Sequence, residues 1–226
     1  MLGSNFKYLD RGKDKTIVLI PGWATDYRIF DLLNLEFNYL LLIDFSFSSF
    51  ETSLFNALRN KGIKKVSLLG WSLGGFLAAR FAQEYPELTE ELILLGIRKK
   101  YNQEKTAEIG KLLKRSKKTY LYKFYQQCFF KPKSMSWFKE NLLKAYCQDF
   151  DLEYLLKTLD YLVKSQINTQ ELSAIKKIKI IHGERDQIAP INEAREVCKG
   201  LVGAELITIK NCGHALFLET DLKKYI

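Results

Sequence analysis

The chain has 226 residues, of which 47% are hydrophobic and 27% are charged, and its formal net charge is +9. This length predicts one domain with an insertion, and 13 Gly and 4 Pro are too few for a collagen-like or disordered chain. The longest apolar run, residues 39–43, is far shorter than the roughly 20 residues that cross a bilayer, so we expect no membrane span.

Six short apolar runs predict the strands of a mostly parallel sheet. They are continuous rather than alternating, as expected for strands that helices cover on both faces. In chain order they occupy residues 17–20, 40–43, 66–69, 92–95, 178–181 and 206–209. Amphipathic stretches between them predict helices at 52–61, 73–84 and 191–199 and a closing helix from about Ala215. Only one further short strand segment, residues 6–9, precedes the first run, so the sheet should have about six or seven strands.

Residues 99–172 show no strand signal, and their leucines and aromatics recur at helical spacings. This pattern predicts an all-helical insertion into the α/β core, which would then comprise residues 1–98 and 173–226. Between positions 98 and 164 there are 16 basic and 7 acidic residues, whereas the rest of the chain is neutral. A basic segment of this kind favours an anionic partner.

Four cations in the insertion have the spacing of one helix face: Lys111, Lys114, Arg115 and Lys118 lie at i, i+3, i+4 and i+7. The simpler interpretation is that they are the solvated face of a helix. Nucleic-acid binding would rest on the charge alone, because the sequence contains no helix-turn-helix, zinc pattern or RNA-binding signature. We therefore expect no nucleic-acid partner.

The N-terminus and the cysteines predict a cytoplasmic protein. Residues 1–7 contain neither the apolar stretch nor the cleavage site of a secretory signal. Cys128, Cys147, Cys198 and Cys212 are scattered without C-x-x-C spacing. They are expected to be reduced thiols rather than a disulfide framework or a zinc site. No metal or organic cofactor is expected, and the oligomeric state is open.

The segment Gly70-Trp71-Ser72-Leu73-Gly74 matches G-x-S-x-G and lies directly between an apolar strand and a helix. That context is the one a nucleophile elbow requires. The tight turn would lift the hydroxyl of Ser72 above the sheet, and the flanking glycines would let strand and helix approach closely. The alternative is an ordinary glycine-rich strand-to-helix turn.

A serine nucleophile needs a base and an acid that orients the base. Of the two histidines, His182 ends a strand run, whereas His214 lies in a loop after the last strand, at the edge where open α/β sheets place their sites. His214 is therefore the candidate base. Asp186, in the loop after the preceding strand, is the candidate acid, with Glu184 as its rival. The order Ser72, Asp186, His214 is that of α/β-hydrolases.

Two backbone amides are candidates for an oxyanion hole. Leu73 opens the helix after the serine, where the helix dipole favours negative charge. Trp23 follows the sharp Pro21-Gly22 turn after the first strand, and its N–H can face the same point. The side chains of Trp23 and Trp71 are expected to line the substrate pocket.

Through these motifs the chain resembles the α/β-hydrolases over almost its whole length. Residues 70–75 have the sequence G-W-S-L-G-G, and G-W-A follows the first strand. In these two motifs the chain is similar to the methyl esterases that release pimeloyl-acyl carrier protein in biotin synthesis. The resemblance implies a triad of Ser72, Asp186 and His214 with Trp23 and Leu73 as oxyanion donors. It departs at Pro21-Gly22, where the family commonly has His-Gly.

The resemblance implies a serine carboxylesterase with a helical lid, acting on a small acyl methyl ester. Acyl carrier proteins are acidic, so the four lid cations, Lys111, Lys114, Arg115 and Lys118, would be the carrier-protein binding residues. A general small-ester esterase, an acyl-thioesterase, a lipase and a carbon–carbon bond hydrolase share the triad and remain alternatives. A binding protein that has lost catalysis is a further alternative. The serine at the elbow argues against dehalogenases and epoxide hydrolases of this fold, which place Asp there.

Overall fold

The computed structural model describes residues 5–44 and 46–226, which form one seven-stranded sheet. Residues 1–4, part of the stretch examined for a secretory signal, lie outside the described residues. The strands are β1 (Asn5–Leu9), β2 (Thr16–Ile20), β3 (Asn38–Asp44), β4 (Val66–Trp71), β5 (Thr89–Leu95), β6 (Ile178–Gly183) and β7 (Glu205–Ile209). Their spatial order is β1-β3-β2-β4-β5-β6-β7. The predicted sheet of six or seven strands is confirmed.

All pairings are parallel except that of the edge strand β1 with β3. The continuous apolar runs of β2 and β4 are fully buried, because helices cover both faces of the sheet. The parallel strands β2, β4, β5, β6 and β7 therefore end at one common edge. Each candidate site residue lies at or just beyond that edge, except the four cations Lys111, Lys114, Arg115 and Lys118.

Eight α-helices surround the sheet in the described chain: α1 (Phe50–Asn60), α2 (Leu73–Glu84), α3 (Gln103–Arg115), α4 (Lys117–Cys128), α5 (Pro132–Phe138), α6 (Lys144–Asp149), α7 (Leu152–Lys164) and α8 (Ile191–Lys199). The helix expected from Ala215 is instead two short 3-10 turns, Leu216–Leu218 and Leu222–Lys224. Asp221 accepts a hydrogen bond from the Lys223 amide and starts the second turn afresh, which prevents a continuous helix.

Helices α3 to α7 follow one another in a helical segment between β5 and β6. Its two ends meet at a short neck. Lys100 and Gln166 form an antiparallel bridge, and the Ile167 amide donates to the Lys99 carbonyl at 3.0 Å. At this neck the chain that enters the helical segment pairs with the chain that leaves it. The first residues of the segment are therefore held in a defined position over the sheet edge.

The basic face expected on one helix is divided between two. Helix α3 ends at Arg115, since Ser116 adopts an extended conformation and its hydroxyl donates to Thr119. Lys118 therefore belongs to α4, and the single-helix spacing from Lys111 to Lys118 is wrong. All four cations are nevertheless exposed. Leu112 is also exposed, whereas Leu113 is buried.

Within the described residues, no helix combines the length and the apolar character that crossing a membrane would require.

Candidate active site

Ser72 occupies a strained turn between β4 and α2. Its φ of 54° and ψ of −114° are rare for a residue with a side chain and cost on the order of 1–3 kcal/mol. Two neighbours maintain the turn. The Ser72 amide donates to the Leu95 carbonyl at 2.9 Å, and a Cβ on Gly74 would lie only 2.3 Å from the Ile20 oxygen. The glycine allows α2 to begin directly against the end of β2, and the turn positions the serine as a nucleophile elbow would.

His214 and Asp186 form a buried hydrogen-bonded pair. The Nδ1 of His214 lies 2.7 Å from Oδ2 of Asp186, and the two side chains are 1% and 0% exposed. The other carboxylate oxygen accepts hydrogen bonds from the amides of Ile188 and Ala189, both at 2.8 Å. A carboxylate fixed in this way orients the imidazole so that Nδ1 carries the proton and Nε2 presents a lone pair. Among the described residues, Nε2 has no hydrogen-bond partner. The pair therefore has a free proton acceptor.

The rival acid is placed elsewhere. Glu184 is exposed, and its backbone amide donates to the Ile209 carbonyl at 2.9 Å. The structure thus brings Asp186, not Glu184, to His214. Both Asp186 and His214 follow parallel strands, β6 and β7, and so reach the same edge of the sheet as Ser72.

Trp71 does not line the cavity above Ser72, contrary to the sequence-based expectation. Its indole is 2% exposed and packs against Phe217 with ring centroids 5.0 Å apart. Its Nε1 donates to the His214 carbonyl at 3.0 Å. As the last residue of β4, Trp71 points below the serine and supports the histidine loop from beneath.

Gly96 allows the histidine ring to pack against the end of β5. Its φ is +54°, and a Cβ there would lie 2.9 Å from His214 Nδ1. A side chain at this position would be strained and would also displace the imidazole. Trp71 and Gly96 together restrict where His214 can lie.

Glu219 connects the histidine loop to the helical segment. Its buried carboxylate accepts from the Gly213 amide at 2.5 Å, and from the amides of Phe130 and Lys131 at 2.8 and 2.5 Å. Next to this cluster, the Ala215 amide donates to the Cys128 carbonyl at 2.9 Å. Gly213 is therefore linked through Glu219 to the chain that follows α4, and Ala215 is bonded directly to the last residue of α4. The sequence contained no signal for this connection.

Replacing Glu219 by Gln should destabilise the protein, because an amide must leave at least one of the three buried N–H donors poorly matched. Buried hydrogen bonds to charged groups contribute about 1.5–3 kcal/mol each, so we expect the free energy of unfolding to fall by about 3 kcal/mol. Chemical denaturation measures this loss. Glu196→Gln, an exposed glutamate on α8, is the matched control and should change the stability by less than about 0.5 kcal/mol. Equal stabilities for the two variants would contradict the role given to Glu219.

His182, the second histidine, is fully buried behind Asp186. Its Nε2 lies 2.6 Å from the Ala189 carbonyl and 3.5 Å from Asp186 Oδ2. Burial lowers the pKa of His182, and the charge of Asp186 offsets this only in part. The imidazole is therefore neutral and holds the turn that carries the carboxylate.

The lowered pKa of His182 predicts an acid-dependent loss of stability. Below the unfolded-state pKa of about 6.5, the unfolded chain binds a proton that the folded chain resists, so stability falls as the pH decreases. His182→Gln removes this proton uptake. Relative to the variant, the wild type should lose up to about 1.4 kcal/mol per pH unit below pH 6.5. Denaturation between pH 7 and 5 measures the difference, and parallel curves for the two proteins would contradict the assignment.

The loop after β2, which carries Trp23, is hydrogen-bonded to the helical segment at several points. The Trp23 indole donates to the Leu155 carbonyl at 3.2 Å, and its ring meets that of Phe124 edge to face at 4.9 Å. Ala24 has a positive φ of 56°, and its carbonyl accepts from the Tyr125 hydroxyl at 2.5 Å. The backbone of this loop is therefore held rigidly. Leu73, the other expected donor, is the first residue of α2, so its amide has no acceptor within the helix.

A cavity of about 200 Å³ lies above Ser72, between the sheet edge and the helical segment. Trp23 lines it, and Phe124 and Leu159 give it an apolar wall. Arg98 and Lys105 also line it, and no aspartate or glutamate is among the described lining residues. Arg98 is ion-paired with Glu193 outside the cavity at 2.7 Å.

Tyr101 is the site residue that sequence reasoning missed most clearly. Its hydroxyl lies 3.3 Å from Ser72 Oγ. It follows the neck and precedes α3, and no motif marks it. In the described chain, no group of three His, Cys, Asp or Glu side chains is arranged to hold a metal ion.

Comparison with known proteins gives a consistent result. The sequence model of the Hydrolase_4 family, described as serine aminopeptidase, S33, matches residues 49–221. The chain is 27% identical over 181 residues to the AB hydrolase superfamily protein YisY of Bacillus subtilis, covering 71% of this chain and 64% of that protein. It is 24% identical over 185 residues to the pimeloyl-[acyl-carrier protein] methyl ester esterase of Nitrosomonas europaea, covering 68% and 66%. The chain thus spans just under two thirds of each of these relatives.

Among solved structures, an esterase from Exiguobacterium antarcticum superposes with a TM-score of 0.80 at 19% identity, covering 96% of this chain and 91% of that one. Such a similarity shows a shared fold. The fold and the family match agree with the resemblance inferred from the motifs.

Proposed function

Since this chain belongs to the Hydrolase_4 family and is an α/β-hydrolase, we propose that it is a serine carboxylesterase acting through Ser72, His214 and Asp186. The observation that carries the proposal is the buried pair of His214 and Asp186, 2.7 Å apart, with a free Nε2 at the same sheet edge as the strained serine. Helices α3 to α7 would act as a lid (residues 99–172) on a core of residues 1–98 and 173–226.

In this mechanism, Ser72 Oγ attacks the ester carbonyl carbon while His214 Nε2 takes its proton. Asp186 holds the imidazole in the required tautomer and stabilises its charged form. The amides of Trp23 and Leu73 would bind the oxyanion, and the rigid loop after β2 favours this role for Trp23, since preorganised donors cost no rearrangement. The protonated His214 then gives its proton to the departing alkoxide, and water hydrolyses the acyl-enzyme by the same steps.

The charges in the cavity favour an ester over a free peptide amine. An aminopeptidase must bind a cationic amino terminus beside its nucleophile, which calls for a nearby carboxylate. The cavity above Ser72 instead has Arg98 and Lys105 among its lining residues and no described acidic one. This arrangement suits a neutral or anionic substrate, and it argues against the activity that the family's description names.

For the substrate we propose an acyl methyl ester carried on an acidic acyl carrier protein, with pimeloyl-acyl carrier protein methyl ester of biotin synthesis as the specific candidate. The motif resemblance and the similarity to the Nitrosomonas esterase support this choice. The exposed cations of α3 and α4, Lys111, Lys114, Arg115 and Lys118, would contact the carrier protein. A general small-ester esterase or an acyl-thioesterase is the alternative, since both would use the same residues.

A direct assay separates these activities. We expect the protein to release methanol from a carrier-bound pimeloyl methyl ester and to leave the carrier thioester intact. Release of the acyl chain from the carrier would identify a thioesterase instead. In a host that lacks its own methyl esterase, the gene should restore growth without biotin, and failure in both tests would exclude the specific substrate.

Reversing the lid cations tests the carrier-protein contact. Because Lys118 lies on a different helix from the others, we expect two variants to be informative: the triple Lys111→Glu, Lys114→Glu, Arg115→Glu and the single Lys118→Glu. The triple variant should lower kcat/KM on a carrier-bound ester at least about tenfold at low salt, mainly through slower association. Lys118→Glu should have a smaller effect.

Hydrolysis of a small neutral ester serves as the control and should change little in both variants. The defect should shrink as salt rises, because screening also weakens the wild-type attraction. Equal losses on both substrates would show a damaged fold, and unchanged kinetics on the carrier-bound ester would mean that the patch is only a solvated surface. No gel shift with nucleic acid is expected at physiological salt.

A further inference from the structure

The phenol of Tyr101 contacts the atom that would react. Its Oη lies 3.3 Å from Ser72 Oγ, whereas Nε2 of His214 has no partner among the described residues. The proposed triad gives this tyrosine no function. A hydroxyl within hydrogen-bond distance of a nucleophile is close enough to interact with a substrate oxygen once a substrate is bound.

The position of Tyr101 is fixed by the elements around it. Immediately before it, the neck pairs Lys100 with Gln166. The Arg98 guanidinium lies 4.9 Å from the centre of the tyrosine ring, and the ring of Phe76 on α2 lies 6.1 Å away on centroids. An aromatic side chain held on several sides presents its hydroxyl at one place. Such preorganisation is what an electrostatic contribution to catalysis requires.

The chemical state of the phenol suits a hydrogen-bond donor. Burial raises the pKa of Tyr101, and the hydrogen bond with Ser72 and the charge of Arg98 offset this only in part. The phenol therefore keeps its proton at neutral pH. The charge of Asp186 raises the pKa further. The leaving group must also depart near His214, because that imidazole protonates it.

We propose that Tyr101 is a catalytic residue whose hydroxyl donates a hydrogen bond to the oxygen of the leaving alcohol. This inference rests on the proposed ester hydrolysis. In the free protein the phenol and the Ser72 hydroxyl lie within hydrogen-bond distance of each other, and a bound ester would offer the phenol its alcohol oxygen instead. When the tetrahedral intermediate collapses, the bond between the acyl carbon and the alcohol oxygen breaks, and that oxygen keeps the electron pair. It takes its proton from His214, while Tyr101 stabilises the developing negative charge and keeps its own proton.

The test compares Tyr101→Phe with wild type on two esters of one acyl chain, methyl hexanoate and p-nitrophenyl hexanoate. Methoxide is a poor leaving group and needs stabilisation, whereas p-nitrophenolate disperses its own charge. Loss of one preorganised donor costs about 100-fold or more, so kcat/KM on the methyl ester should fall by about that factor. The p-nitrophenyl ester should change by less than about threefold.

Tyr122→Phe is the matched control, because it removes a hydroxyl from an exposed tyrosine on α4 in the same helical segment. It should leave both reactions unchanged. A purely structural role for Tyr101 would reduce the two reactions equally, and a role in blocking Ser72 would make the variant faster; either result would overturn the inference while leaving the esterase proposal intact. If the wild-type protein cleaved neither ester and Ser72 resisted a fluorophosphonate, the esterase proposal and this inference would both fall.

Discussion

Ser72→Ala should abolish ester hydrolysis, with a fall in kcat of about 10⁴-fold or more. The alanine removes the oxygen that would form the acyl-enzyme in the proposed mechanism, whereas the cavity and the pair of His214 and Asp186 remain. Substrate binding should therefore persist. Replacing a residue with a φ of 54° by alanine keeps a side chain of similar bulk, so no large loss of stability is expected.

The kinetic measurement has two internal checks. Thermal denaturation should show that the variant is folded. Equilibrium binding of a methyl ester should show that the variant still binds the substrate. Substantial residual turnover in a folded Ser72→Ala protein would place the nucleophile elsewhere in the chain.

Asp186→Asn should be nearly as damaging, with a loss in kcat of about 10⁴-fold. The asparagine preserves the shape of the side chain, but with its oxygen facing the amides of Ile188 and Ala189 its NH2 group, a donor, faces Nδ1. The imidazole would then favour the tautomer with its proton on Nε2, which is the atom that must accept the serine proton. The hydrogen bonds from the amides of Ile188 and Ala189 to Oδ1 can survive in the variant, so the loop should keep its position.

Glu184→Gln provides the control, because Glu184 was the alternative acid on the sequence and lies exposed two residues away. Its activity should stay within about twofold of wild type, in line with an ordinary surface substitution. A larger loss in Glu184→Gln than in Asp186→Asn would reverse the assignment. His214→Ala should match Ser72→Ala in severity.

The sequence was most informative where function depends on the ends of parallel strands. Asp186 and His214 are 28 residues apart in the chain. They follow neighbouring parallel strands, and this topology brings them to the same edge of the sheet. The G-x-S-x-G motif was informative for a different reason: its glycines are required by close backbone contacts within the turn itself. For these features, knowing the order of strands is almost enough to place the side chains.

The sequence was less informative where the site depends on the direction of a side chain or on a contact between residues far apart in the chain. The position of Trp71 next to the serine predicts a place in the cavity, but its indole lies beneath the histidine loop instead. Helical periodicity places Lys118 on the same helix face as Lys111, because it does not show the break at Ser116. Tyr101 and Glu219 carry no motif, and their partners at Ser72 and Phe130 are far away in sequence.

Covalent labelling tests the central claim most directly. After incubation with a fluorophosphonate, the intact protein should gain the mass of one phosphonyl group, and peptide mapping should locate it on Ser72. Labelling should be lost in Ser72→Ala and slowed strongly in His214→Ala, while Glu184→Gln should label like wild type. A wild-type protein that remains unmodified, or that is modified at another residue, would contradict the assignment of Ser72 as the nucleophile.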